Sequence, residues 1–121
     1  STPRAMLDLL SAYESGRALS ADSTQRLFTI MAHCETGKHR IVGMLPPGTA
    51  VAHKTGSLNG TGNDVGVVRL PDGRRFAVVA FVMKDSKGHK SRDRIIAEAA
   101  RAAYDYFLYA PERAYGPAQK T

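Results

Sequence analysis

The stretch that decides the fold covers residues 49–83 and reads TAVAHKTGSLNGTGNDVGVVRLPDGRRFAVVAFVM. Three runs in it are rich in Val, Ala and Phe, and Gly-rich or Pro-Asp-Gly segments that favour turns separate them. This pattern predicts three antiparallel strands at residues 50–56, 64–70 and 75–83. The third run is apolar from residue 76 to residue 83, which is typical of a strand covered on both faces. We therefore expect helices on both sides of the sheet.

Helical patterns precede the strands. Thr2 and Pro3 suit a helix start, and Gly16 suits its end. The second predicted helix opens at Ser20, continues to about residue 33 and has as its buried stripe Leu27, Ile30, Met31 and Cys34. A short helix is predicted over residues 40–45, before the Pro-Pro-Gly segment breaks the chain.

A long helix follows the strands. Ser91 is its predicted cap, and it should continue to about Tyr109. The side chains predicted to face inward are Ile95, Ile96, Ala99, Ala103, Phe107 and Leu108. Those predicted to face outward are Arg92, Glu98, Arg101 and Asp105.

The predicted fold class is therefore α+β, a three-stranded antiparallel meander with helices packed on both faces. We predict a helical segment at residues 1–48 that belongs to an all-α part, then antiparallel strands plus the C-terminal helix at 49–109, and a loose tail at 110–121. Three strands and one long helix cannot by themselves cover both faces of the third strand. We expect N-terminal strands and helices, absent from this chain, to complete the fold.

Charge and composition exclude several classes of function. The 121 residues carry 17 Lys+Arg against 11 Asp+Glu, yet these basic residues are scattered, apart from a denser patch at 84–94. A nucleic-acid reader would concentrate them on one stripe, so we predict no nucleic-acid partner. No apolar stretch approaches about 18 residues, so no membrane span is predicted. His33, Cys34 and His39 fit no ordinary zinc spacing, and we predict no metal and no cofactor.

The Lys54-Thr55-Gly56 tripeptide at the end of the first strand carries the chemistry. Lys54 can place a positive charge beside a nucleophile and stabilise negative charge that develops nearby. The Thr55 hydroxyl can hydrogen-bond a substrate carboxylate, and Gly56 lets a ligand lie against the strand and pair with its backbone. The tripeptide alone also fits a polar strand end before a turn, so its context decides between the two interpretations.

That context resembles class A β-lactamases, within the serine β-lactamase and penicillin-binding superfamily. The residues that carry the resemblance are Thr2-Pro3-Arg4-Ala5-Met6, Thr36-Gly37-Lys38-His39-Arg40-Ile41, Leu45-Pro46-Pro47-Gly48, Lys54-Thr55-Gly56-Ser57, Asn63-Asp64 and the helix at 91–107. It covers about residues 1–108, and the chain resembles the C-terminal portion of such an enzyme. The fold that the resemblance implies is β-lactamase/transpeptidase-like.

The resemblance implies roles for five residues. Lys54 would support the proton relay and the electrostatics around the nucleophile. The hydroxyls of Thr55 and Ser57 would bind the carboxylate of the β-lactam beside Gly56, and the Ser57 backbone N–H would be one of two oxyanion-hole donors. Arg40 would supply positive charge near that carboxylate, because the following strand has no arginine at the corresponding place. The alternative for Arg40 is a surface arginine on a short helix.

His53 departs from the family, which usually has an acidic residue immediately before the Lys. A histidine there could change the local pKa pattern and the substrate range, or it could point away from the pocket. Because alternate residues of a strand face opposite sides and Lys54 claims the pocket side, we predict that His53 points away.

Two motifs of such a hydrolase are missing: no Ser is followed by Lys three residues later, and no Ser-Asp-Asn occurs. The resemblance therefore implies that an N-terminal portion, possibly a second chain, supplies the nucleophile Ser, the Ser-Asp-Asn and the omega-loop Glu. The implied reaction is β-lactam hydrolysis through an acyl-enzyme, in the periplasm or outside the cell, with this chain alone inactive. The alternatives are a fragment of a penicillin-binding D-Ala-D-Ala peptidase or esterase, and a non-catalytic β-lactam-binding module.

Overall fold

The computed structural model describes residues 1–83 and 86–110, and its elements follow the predicted order. The helices are α1 (Pro3–Glu14), α2 (Ala21–Ala32), a 3-10 helix (Ile41–Met44) and α3 (His89–Tyr109). The strands are β1 (Val51–Leu58), β2 (Thr61–Arg69) and β3 (Arg75–Val82).

The three strands form one antiparallel sheet in the order β1-β2-β3, which confirms the predicted meander. Pairing between β1 and β2 reaches the hairpin end, where Leu58 lies opposite Thr61 and Ser57 opposite Gly62. The prediction started the second strand at residue 64, three residues too late. The Gly-rich sequence suggested a long loop, whereas the chain turns through Asn59-Gly60 alone, a short connection that hairpins favour.

Helices cover both faces of the sheet, as predicted. The α3 helix and the 3-10 helix pack on one face, around a core that consists of Ile41, Leu45, Val51, Val68, Leu70, Phe76, Ile96, Ala100 and Tyr104. On the other face α1 contacts β3 and α2 contacts β1. Both helices start at the predicted caps: the Thr2 hydroxyl accepts a hydrogen bond from the Ala5 N–H, and the Ser20 hydroxyl accepts one from the Ser23 N–H.

The start and the buried face of α3 differ from the prediction. The cap of the helix is Gly88, whose φ of 96° favours glycine, and not the predicted Ser91, so the helix begins three residues earlier than expected, at His89. Ala97 and Ala100 are buried in place of Ile95, which is 49% exposed. The physical reason is the closeness of the 3-10 helix: a Cβ added at Gly43 would lie 3.3 Å from the Ala97 Cβ. Small side chains must therefore face it.

Other predicted core positions are also wrong in the described structure, and one of them is Ala99 on α3, which is exposed. Ile30 is 65% exposed, although its neighbour Met31 is buried as expected. On β3 Phe76 is buried, but the side chains from Ala77 to Val82 are half-buried. One cause is that β3 lies at the sheet edge, with β2 as its only described neighbour.

The predicted division of the chain at residues 48 and 49 stays a prediction. The α1 and α2 helices both contact the strands in the described structure. Most of the predicted loose tail, residues 111–121, lies outside the described residues. None of the described helices is long and apolar enough to cross a membrane.

Candidate functional site

Strand β1 forms one edge of the described sheet and carries the Lys-Thr-Gly tripeptide. Because side chains alternate along a strand, His53, Thr55 and Ser57 share the face that packs on α3, and Lys54 and Gly56 lie on the opposite face. No described strand pairs with the outer side of β1, so an extended ligand can pair with the backbone there. The tripeptide therefore presents side chains on both faces of β1 and a backbone edge that no described strand pairs with.

Arg40 is the centre of the polar network on the α3 face. Its Nε donates to Asp93 Oδ1 at 2.8 Å, and its Nη2 donates to Ser57 Oγ at 2.7 Å. Its Nη1 donates to the carbonyl oxygens of Gly56 at 3.0 Å and Asn63 at 2.8 Å. Arg40 is only 8% exposed, so the alternative of a surface arginine is wrong. The rigid guanidinium fork holds β1, β2 and α3 at fixed positions around Ser57.

Two hydroxyl groups lie on one face of β1, and one of them, that of Ser57, contacts this guanidinium. The Thr55 Oγ1 is 2.6 Å from the Thr36 Oγ1, within hydrogen-bond distance. The Ser57 Oγ accepts from Arg40, so its own proton stays available to a ligand. Thr55 and Ser57 are two residues apart, about 6.8 Å along the strand. A carboxylate between them can accept from both hydroxyls beside a positive charge.

Lys54 and Gly56 have different surroundings. Lys54 is exposed, and its Nζ donates to the Thr55 carbonyl oxygen at 2.7 Å. The described structure therefore does not bring Lys54 into the Arg40 network. A Cβ at Gly56 would meet only Asn63 atoms, at 3.8 and 3.9 Å, which is ordinary contact. Packing within the described chain does not require this glycine, which fits a role in ligand approach.

His53 forms a buried pair with Asp64 that the sequence reasoning missed. The His53 Nδ1 is 2.9 and 3.0 Å from the two carboxylate oxygens of Asp64, and the residues are 4% and 0% exposed. The Asp64 Oδ2 also accepts from the Ile41 N–H at 3.2 Å. His53 does face away from Lys54, as predicted. It is buried on the strand face that also carries Thr55 and Ser57.

Gly66 makes room for this pair. It lies opposite His53 in the β1–β2 register, and a Cβ there would be 2.5 Å from the Ala52 carbonyl oxygen and 2.7 Å from the His53 Cβ. Only a glycine fits such a close approach between strands. The pairing register of β1 and β2 would have been enough to predict the pair. In this register Gly66 lies opposite His53, and Asp64, two residues before Gly66, lies on the same face of the sheet.

The structure thus brings Arg40 and Ser57 together, places Thr55 on the same strand face, and adds Thr36 and Asp93, which were not predicted from the sequence. Thr36 lies within the segment that carried the resemblance, but only the fold shows it next to Thr55. Among the described residues no group of three or more His, Cys, Asp or Glu side chains could hold a metal ion. The arrangement can hold an anion and align it with a strand edge.

Comparisons with known proteins agree on one family. Residues 1–107 match the model described as the β-lactamase enzyme family. The extended-spectrum β-lactamase PER-1 of Pseudomonas aeruginosa is 36% identical over 107 residues, which is 84% of this chain and 35% of that protein.

Solved structures give the same result. A β-lactamase from Chitinophaga pinensis superimposes with a TM-score of 0.85 at 40% identity, over 88% of this chain and 42% of that one. A representative class A β-lactamase from Bacteroides cellulosilyticus superimposes with a TM-score of 0.86 at 31% identity, over 91% and 42%. The chain therefore spans well under half the length of these relatives.

Proposed function

This chain belongs to the β-lactamase enzyme family, and its relatives include class A enzymes. We propose that it forms the side of a serine β-lactamase site that binds the substrate carboxylate. We call this surface, which consists of Arg40, Thr55, Gly56 and Ser57, the carboxylate-binding wall. The observation that carries this proposal is the buried Arg40 guanidinium, which donates to the hydroxyl of Ser57 on the strand face that also carries Thr55. A β-lactam carboxylate placed there would accept from Ser57 and Thr55 and lie next to the positive charge.

The backbone of β1 supplies the second part of the proposed site. The Ser57 N–H would be one of two donors that stabilise the oxyanion formed when the lactam carbonyl is attacked. The absence of a side chain at Gly56 would let the substrate lie along the strand edge. Lys54, exposed on the other face, would support the proton relay around a nucleophile that approaches from that side.

The nucleophile must come from residues that this sequence does not contain. We propose that an N-terminal portion of the enzyme, in the same chain or as a second chain, supplies the acylating Ser with its Lys, the Ser-Asp-Asn and the deacylating Glu. The coverage of 35–42% of the relatives' length supports this division. The complete enzyme would act in the periplasm or outside the cell, and this chain alone would not turn over substrate.

The other hypotheses have weaker support. A D-Ala-D-Ala peptidase or esterase fragment would share the Lys-Thr-Gly strand, but the relatives named above are β-lactamases. A non-catalytic module that binds β-lactams would need no nucleophile. It differs from the main proposal in its expected behaviour, because adding the missing portion would not produce hydrolysis.

Titration of the isotope-labelled 121-residue chain with benzylpenicillin tests the proposed wall. We expect saturable changes in the NMR chemical shifts of Thr55, Ser57 and the Arg40 Nε–H. The expected dissociation constant is about 1 mM, which corresponds to about 4 kcal/mol of binding free energy, because this chain supplies only one side of the proposed site. The methyl ester of benzylpenicillin is the matched control and should bind at least about tenfold more weakly, because it lacks the charge that Arg40 attracts. Equal binding of acid and ester would contradict the proposal.

A further inference from the structure

The buried His53–Asp64 pair lies behind the Arg40 network and takes no direct part in it. The Ile41 N–H donates to Asp64 Oδ2, and the His53 Nδ1 lies 2.9 and 3.0 Å from the two carboxylate oxygens. Among the described residues, these two are the hydrogen-bond partners of the fully buried Asp64 side chain. The pair therefore connects β1 and β2 to the backbone at one place, the residue after Arg40.

That place is the start of the 3-10 helix. Arg40 is its N-cap residue, with no side-chain capping bond of its own and with φ −98° and ψ −122° outside the helical region. The first N–H groups of a helix have no hydrogen-bond partner within the helix. The Ile41 N–H is one of these, and it donates instead to the Asp64 side chain on β2. Ile41 is fully buried, so the amide has no access to water as an alternative partner.

We propose that Asp64 is a positioning residue for Arg40 and that His53 orients the Asp64 carboxylate for this purpose. Asp64 holds the backbone one residue from the point where the Arg40 side chain begins. A shift of this amide would move the guanidinium away from the Ser57 hydroxyl, 2.7 Å from its Nη2. The consequence for β-lactam recognition rests on the proposed function, whereas the positioning itself does not.

The side of β1 that carries Thr55 supports this assignment. His53, Thr55 and Ser57 follow one another on the same strand face, so the pair, the hydroxyl and the Arg40 contact are arranged in a row. Gly66 leaves the space that the His53 Cα and Cβ occupy beside β2. A histidine can therefore precede the Lys-Thr-Gly motif without occupying the proposed ligand site, because His53 is buried and contacts Asp64.

The test compares Asp64→Asn with the unchanged 121-residue chain by NMR spectroscopy. Asn offers one acceptor oxygen and places an N–H₂ group where the second oxygen was, so it cannot orient towards both donors as the carboxylate does. We expect the Arg40 Nε–H to exchange with water about tenfold faster relative to core amides, because the guanidinium loses its fixed position. The chemical shifts of the His53 ring nitrogens should change as well, because an N–H₂ group replaces one of the two oxygens near Nδ1.

The matched control is Asp72→Asn in the β2–β3 turn. The Arg74 backbone N–H and side chain hold the pKa of Asp72 below its ordinary value, and neither group touches the Arg40 network. This variant removes the same charge, so it should leave the Arg40 Nε–H exchange unchanged. An Asp64→Asn chain that folds and also keeps this exchange rate within about twofold of the unchanged chain would overturn the proposal.

A measurement on the unchanged chain keeps the proposal testable if Asp64→Asn does not fold. A scalar coupling across the hydrogen bond between the Ile41 nitrogen and the Asp64 side-chain carboxyl carbon should be observable. An absent coupling, with couplings detected across ordinary strand bonds, would overturn the proposal. These experiments contain no ligand. A chain that shows the positioning but does not bind benzylpenicillin would therefore refute the proposed function and leave the positioning role intact.

Discussion

An Arg40→Ala chain is expected to lose about 3–5 kcal/mol of unfolding free energy, the usual cost of removing one partner from a buried ion pair. The change leaves Asp93, whose side chain is 16% exposed, without its partner at 2.8 Å. It also removes the donor to the carbonyl oxygens of Gly56 and Asn63. Urea unfolding followed by circular dichroism measures the loss, provided that the slope with denaturant stays unchanged.

The same change should abolish discrimination between benzylpenicillin and its methyl ester. Without the guanidinium, the Ser57 and Thr55 hydroxyls keep their hydrogen-bonding capacity, but no positive charge lies beside them. The matched control is Arg94→Ala, which breaks an ion pair to Glu98 that is exposed at both ends (side chains 77% and 54%). A pair of this kind contributes about 0.3–0.5 kcal/mol. If Arg40→Ala lowered the unfolding free energy as little as Arg94→Ala does, the result would contradict the Arg40 hydrogen-bond network.

A Gly66→Ala chain is expected to be less stable by about 3 kcal/mol, at the upper end of the cost of overpacking. The added Cβ would lie 2.5 Å from the Ala52 carbonyl oxygen and 2.9 Å from the His53 Cα. Both obstacles are backbone atoms, so relief requires β1 and β2 to separate. Separation would also disturb the Asp64 contact to His53. Thermal and urea unfolding of the variant measure the effect.

Gly56→Ala is the matched control for Gly66→Ala, because both replace a glycine on the same strand pair. The nearest atoms to its new Cβ would be those of Asn63 at 3.8 and 3.9 Å. We expect its unfolding free energy to stay within about 1 kcal/mol of the unchanged chain, while benzylpenicillin binding weakens because the methyl group would crowd a ligand that lies along the strand. Equal stability losses in the two variants would show that the close approach at Gly66 is not as described.

The sheet could be predicted from the sequence because its signals are local. Turn residues and apolar runs gave the number, order and direction of the strands, and the resemblance to class A enzymes directed attention to Arg40 and Ser57. The buried face of α3 could not be read in the same way. Ile95 is more apolar than Ala97, yet Ala97 is buried, because the space next to Gly43 admits only a small side chain. Hydrophobic periodicity carries no information on such distances.

The His53–Asp64 pair shows a second limit. The two residues are 11 positions apart, and the bond from Asp64 to Ile41 spans 23. Such contacts follow from strand register and from the path of the chain between elements, which one sequence does not display. Asp93 is a further example: it is 53 positions from Arg40, on a helix whose predicted cap was three residues late.

The Arg40–Asp93 pair also limits what the proposed wall does. The carboxylate of Asp93 offsets part of the guanidinium charge, so the wall should orient an anion more than it attracts one from a distance. Orientation is the contribution that a reaction with a separate nucleophile needs, since the lactam carbonyl must be presented to it in one geometry.

Hydrolysis of a chromogenic cephalosporin tests the central claim most directly. The 121-residue chain alone should show no turnover, because it has no Ser-x-x-Lys and no Ser-Asp-Asn. Mixed with a polypeptide that supplies the nucleophile Ser, the Ser-Asp-Asn and the deacylating Glu of the enzyme, it should restore hydrolysis. The same mixture with that Ser replaced by Ala should remain inactive. Turnover by the chain alone would contradict the account.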